Sequence, residues 1–193
     1  MITPPEWFRI PLRSQAKRER SVRALVDLTY PSRDEHAARR HELREMLSTM
    51  VDRAADRDGI ELYLSTHAAL GVPVPASLLV LVEPGDSAWP SQPPVGLLAD
   101  GLRATYGERA HVSTVELPCG PAVRCRRQEM GDDAVELGQP ADRPTTVLDL
   151  YLPRPESTAW LLLSFSTPVP ELADAQVELF DAIASTFRWS YSS

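Results

Sequence analysis

The sequence predicts an α+β fold, an antiparallel or mixed β-sheet of about six strands packed with helices and preceded by an N-terminal helical hairpin. Three observations carry that prediction. The chain has 193 residues, 43% hydrophobic and 24% charged, which is enough apolar material for one core without disulfide staples. Its 18 prolines gather at joints rather than scattering. Because proline lacks an N–H and fixes φ, the proline-free stretches mark the elements. Within them the apolar period is three to four residues near both ends of the chain and two through the middle. One domain over 1–193 is expected, with an arm and helical hairpin in 1–59 and a β-β-α-β-β-β-β-α sandwich in 60–193.

Residues 14–29 place Val22, Leu25 and Val26 on one side and Lys17, Arg18, Arg20 and Arg23 elsewhere, an amphipathic helix closed by Tyr30-Pro31. Ser32-Arg33-Asp34-Glu35 reads as a capping box for the next helix. In that helix Leu43, Met46, Leu47, Met50, Val51 and Ala54 recur at helical spacing, and Gly59 is the expected terminator. From residue 60 the period changes. Residues 60–65 read as an edge-like strand and 77–82 as a central one, followed by a helix over 95–106 that ends at Gly107. Strands are expected at 111–117, 122–130, 146–152 and 158–167, with a mobile loop at 131–144 and a last helix at 171–187 begun by Pro170. Consecutive strands joined by short turns are antiparallel.

Charge removes some functions. The formal net charge is −7, with twelve basic and ten acidic side chains in residues 1–60 but eight and seventeen in residues 61–193. The longer part would repel a polyanion, so nucleic acid is not an expected partner. No stretch approaches the roughly 20 apolar residues of a membrane helix, and residues 1–12, broken by Pro4, Pro5 and Pro11, carry no signal-like apolar run. A cytoplasmic protein without membrane partners is expected. Cys119 and Cys125 lie six apart, about 20 Å along a straight strand, so a reduced pair is favoured over a disulfide.

The titratable groups assemble no recognised motif. His36 and His41 are separated by roughly 140° around a helix, and position 45 is Glu45 where a metalloprotease helix needs its second histidine. His67 and His111 are isolated, Ser164 and Ser166 fit a sheet face, and Cys119 beside Gly120 reads as a turn residue. Asp132, Asp133 and Glu136 could offer oxygens to calcium but lack EF-hand spacing. No catalytic residue, metal ligand or cofactor is assigned. The feature that points to binding is on the sheet. Strand alternation sets Val123 and Cys125 against Arg124 and Arg126, and Tyr151 against Leu150 and Leu152. If the outward faces align, Arg124, Arg126, Tyr151 and Trp160 form an arginine–aromatic surface of the composition that interface hot spots favour. The alternatives are an Arg124 paired across strands, with Asp149 for example, and a Trp160 lying beneath the helical hairpin.

The order of elements also resembles the Mog1/PsbP-like α/β sandwich, including small actinobacterial proteins of unknown function that share it. Three fragments carry the likeness over residues 60–190: the turn and strand start at 117–124, Trp160-Leu-Leu-Leu-Ser-Phe-Ser-Thr-Pro168, and Leu179-Phe-Asp-Ala-Ile183 leading to Phe187-Arg-Trp189. The resemblance implies a module that binds other proteins rather than an enzyme, and it transfers no catalytic residue. A non-enzymatic, cytoplasmic protein-interaction module is therefore expected. The alternative is a small-molecule-binding protein or enzyme with a crevice between sheet and helices.

Overall fold

The chain opens with β1, Trp7–Pro11, then folds into α1, Gln15–Thr29, and α2, Ala37–Asp56. The computed structural model describes residues 1–69, 72–85, 92–130 and 144–190. Strand β2, Gly59–Ser65, follows, then a two-residue ribbon of β3, Ala68–Ala69, and β4, Val72–Pro73. After β5, Ser77–Glu83, comes α3, Val95–Tyr106. The strands β6, Ala110–Leu117, β7, Gly120–Met130, β8, Pro144–Pro153, and β9, Trp160–Thr167, precede α4, Ala173–Ser185.

Seven of these strands form one sheet in the order β1-β2-β5-β9-β8-β7-β6, antiparallel at every pairing. The route explains the order. After β5 the chain crosses by way of α3 to the far edge, and the meander β6 to β9 walks back until β9 lands against β5. The sheet has one strand more than the six expected, because β1 occupies the edge that the sequence assigned to β2. Pro11 ends β1, and an edge tolerates its missing N–H.

Two further corrections concern the helical hairpin. Ser32 caps nothing, because a single 3-10 turn, Asp34–His36, precedes α2 and neither helix start has a side-chain cap bond. The connection is instead held by Arg40, whose guanidinium donates to the Tyr30 carbonyl and to Asp27. The exit of α2 turns at Asp58, which holds φ at 58°, and not at Gly59. Gly59 serves close approach: a Cβ there would strike the Ala54 carbonyl oxygen and Leu12 Cδ1.

Both faces of the sheet are covered. Residues Ile10, Leu62 and Leu79 lie on one face under Val22, Val26, Leu47 and Val51 of the hairpin. α3 covers the β6–β7 end of the same face, with the Tyr106 ring 5.2 Å from the Arg127 guanidinium carbon. On the opposite face, Leu78, Leu148, Leu150, Leu163 and Phe165 pack against Val177, Phe180 and Ile183 of α4. Phe180 stacks on Phe165 at 4.9 Å and takes the edge of Trp7 at 6.2 Å, contacts worth about 0.5–1.5 kcal/mol each beyond simple burial. Because β8 and β9 are buried on both sides, Val147, Leu148, Asp149 and Leu150 are all shielded, as a strand between two helical layers requires. No helix among the described residues is long and apolar enough to cross a membrane.

Candidate binding groove

Strand register separates the four predicted interface residues into two pairs. Arg124 stands opposite Leu150 and Arg126 opposite Leu148, on the α4 face, whereas Tyr151 stands opposite Val123 and Trp160 opposite Pro153, on the hairpin face. The single arginine–aromatic surface is therefore not formed. The expectation assumed one covered face, and the sheet has two. Nor does Arg124 pair with Asp149 across the strands.

Each residue has local partners. Arg124 donates from Nε and Nη2 to Asp181 Oδ1 and Oδ2 at 2.9 Å each, and Arg126 Nη2 reaches Asp174 Oδ1 at 2.6 Å. These two acids lie seven apart on α4, two helical turns, so one helix face meets one strand face. Trp160 is buried. Gln92, ahead of α3, satisfies it: with its amide oriented to fit both neighbours, its oxygen accepts from Trp160 Nε1 at 3.2 Å and its nitrogen donates to the Ser157 carbonyl at 2.5 Å. Tyr151 is half-buried, and burial followed by the nearby Asp149 charge pushes its phenol pKa well up.

Under α3 lies the pair that sequence reasoning missed. Arg127 donates to Asp149 Oδ2, and Asp149 is almost fully buried while its Oδ1 has no hydrogen-bond partner among the described residues. Burial works against the Arg127 charge, yet Asp149 and Glu129 outweigh it and hold its pKa above the ordinary guanidinium value. Burial also pushes the Asp149 carboxyl up, with Arg127 opposing. The two tendencies disagree about the carboxyl, and the permanently charged arginine decides it: at neutral pH the pair is ionic. The available signal was Asp149 itself, the lone charge in the apolar run from Val147 to Leu152.

The other chemistry-bearing residues stand apart. His67 and His41 are exposed, and His36 rests on the Tyr30 ring at 5.7 Å with Nε2 3.4 Å from Glu35. Cys119 packs toward the α4 side and Cys125 faces Asp149 on the other side. Both are free thiols, and burial raises both pKa values, so neither is poised as a thiolate nucleophile. Gly120, at φ 120°, closes the β6–β7 hairpin with Leu117. No three His, Cys, Asp or Glu side chains stand together as a metal site among the described residues. Asp132, Asp133 and Glu136, and all of the expected loop before Pro144, lie outside the described residues.

What the fold does bring together is a basic groove of about 830 Å³ where β6 begins and β7 ends. Arg109, His111, Arg124, Arg126 and Arg127 line it from two strands and the turn after α3, and Met130 and Pro144 add apolar surface. His111 is cross-strand neighbour to Arg126. Arg109 and His111 are exposed and have no ion pair among the described residues. Among the described residues Arg126 has only a surface partner, since the Asp174 side chain is 87% exposed. Such pairs are worth about 0–1 kcal/mol, so Arg126 can exchange its partner at little cost. Glu108 is the one acid on the lining among the described residues.

No protein-family model matches the chain, and no curated protein or solved structure matches it either.

Proposed function

We propose that the chain is a non-enzymatic protein-interaction module of the cytoplasm, with a Mog1/PsbP-like sandwich architecture, and that it holds an acidic segment of its partner in the groove of Arg109, His111 and Arg126. The observation that supports this reading is the groove's sign. In a chain of net charge −7, five cationic or cation-forming side chains from the turn after α3, β6 and β7 converge on one open hollow that also exposes Met130. Arginine beside a flexible apolar side chain is a common composition at protein contacts. The architectural likeness is supported by the layer order, helices on both sides of an antiparallel sheet. The two free, shielded thiols fit a reducing compartment.

The test uses a fluorescently labelled ten-residue polyglutamate peptide and the full chain. Saturable anisotropy at low salt is expected, with affinity falling at least tenfold in an Arg109→Glu/Arg126→Glu variant whose circular dichroism is unchanged. Equal binding by the variant, or none by the wild type, overturns the groove as contact site. A second reading has one observation in its favour: about 830 Å³ lies within the usual volume of small-ligand pockets. On that reading a small polyanion such as citrate saturates the groove and the peptide does not.

A further inference from the structure

At the other end of β8, a second hollow of about 670 Å³ opens where four connections meet: β1 to α1, α2 to β2, the end of β5, and the β8–β9 turn. Three guanidiniums line it, Arg13 from the β1–α1 connection, Arg18 from the start of α1 and Arg154 from the β8–β9 turn. Half-buried Val82 and exposed Pro84 give it an apolar wall, with Leu12 fully buried behind it. Arg13 and Arg154 are exposed and have no ion pair among the described residues. Arg18 is tied down: its Nη1 donates to the Leu12 carbonyl at 2.6 Å. Its Nε is shut away from solvent and makes no hydrogen bond, although Asp52 Oδ1 lies 3.3 Å away, off the donor's line.

The balance of charge is therefore unfinished. Among the described residues Asp58 is the one carboxylate on the lining, and Asp52 answers Arg18 from outside it, which leaves Arg13 and Arg154 without an ion pair. The shielded Arg18 Nε–H lacks an aligned acceptor, and guanidinium forks match the geometry of a carboxylate. We propose that this hollow binds a small organic carboxylate, its oxygens held by Arg13, Arg18 and Arg154 and its hydrocarbon body laid against Val82 and Pro84. The site is separate from the basic groove and does not depend on the function proposed for it.

The test is heteronuclear NMR titration of the full chain with benzoate, and with inorganic phosphate as an oxyanion lacking an apolar body. Benzoate is expected to give saturable shifts centred on Leu12 to Arg18, Gly59 and Arg154, at an affinity at least fivefold above that of phosphate. An Arg13→Gln/Arg154→Gln variant should lose tenfold or more in affinity while keeping its denaturation midpoint, and Arg126→Glu should bind benzoate as the wild type does. Absence of saturable shifts, equal affinity in the double variant, or phosphate binding as tightly as benzoate overturns the proposal.

Discussion

Arg124 and Asp181 meet as a two-pronged pair, Nε to Oδ1 and Nη2 to Oδ2 at 2.9 Å each, which ties the sheet to the last helix. The arginine side chain is 16% exposed and the acid 41%. Partial screening keeps the pair modest. A double-mutant cycle of Arg124→Ala and Asp181→Ala in urea is expected to give a coupling of about 1 kcal/mol. A coupling indistinguishable from zero would mean that α4 is held by Val177, Phe180 and Ile183 alone.

The Arg127–Asp149 pair should behave asymmetrically. Removing one partner, by Arg127→Met or Asp149→Leu, strands a buried charge and is expected to cost about 3–5 kcal/mol. The double substitution leaves no charge to strand, so it should recover most of that loss. Denaturant unfolding of the three variants checks this, and additive losses would refute it.

Stability should vary with pH through Glu61 and Tyr63. Burial raises the Glu61 carboxyl, but hydrogen bonds from Arg9 and Tyr63 outweigh it and leave the pKa below its usual 4.5. That contribution is present above pH 4.5 and is lost as pH falls through the lowered value. For Tyr63, burial and then the Glu61 hydrogen bond push the pKa from 10.0 to about 12. Its contribution is present below pH 10 and is lost as pH rises toward 12. In urea midpoints measured across pH, Glu61→Gln should flatten the acid limb and Tyr63→Phe the alkaline one. Unchanged limbs would show that these groups are not what titrates.

Helices and most strands were legible in the sequence because each carries its own period. β1 was not, since Pro4, Pro5 and Pro11 hide a five-residue strand whose partner lies fifty residues on. The faces were misread for another reason. Alternation tells which residues share a side, but in Val147 to Leu152 both sides are buried, and only the landing places of α3 and α4 decide what each side meets. That is why Arg124 and Arg126, read as free for a partner, face Asp181 and Asp174. His111 and Arg126 were separately visible, yet their adjacency is a matter of register that no single strand reveals.

The turn at residues 58 and 59 gives opposite expectations for neighbouring substitutions. Gly59→Ala should destabilise by about 1–3 kcal/mol, because the new methyl meets backbone that cannot retreat. Asp58→Gly relieves a left-handed residue and should stabilise by up to about 1 kcal/mol. Thermal melts of both variants are the measurement, and a stable Gly59→Ala protein would contradict the close approach.

The ladder between β5 and β9 also governs the order in which the molecule can assemble. Ser77 pairs with Ser166 and Glu83 with Trp160, so this central seam joins segments 77 to 89 residues apart. Until β9 has left the ribosome, β5 has no neighbour on that side, and a nascent chain exposes the apolar edge of Leu78 to Val82. Such distant pairing slows folding, toward the millisecond-to-second range of sheet-dominated domains, and stopped-flow refolding should register it as the step most sensitive to substitutions at Leu163 and Phe165. The seam that completes the sheet is thus also the last place where the chain is open to the wrong strand.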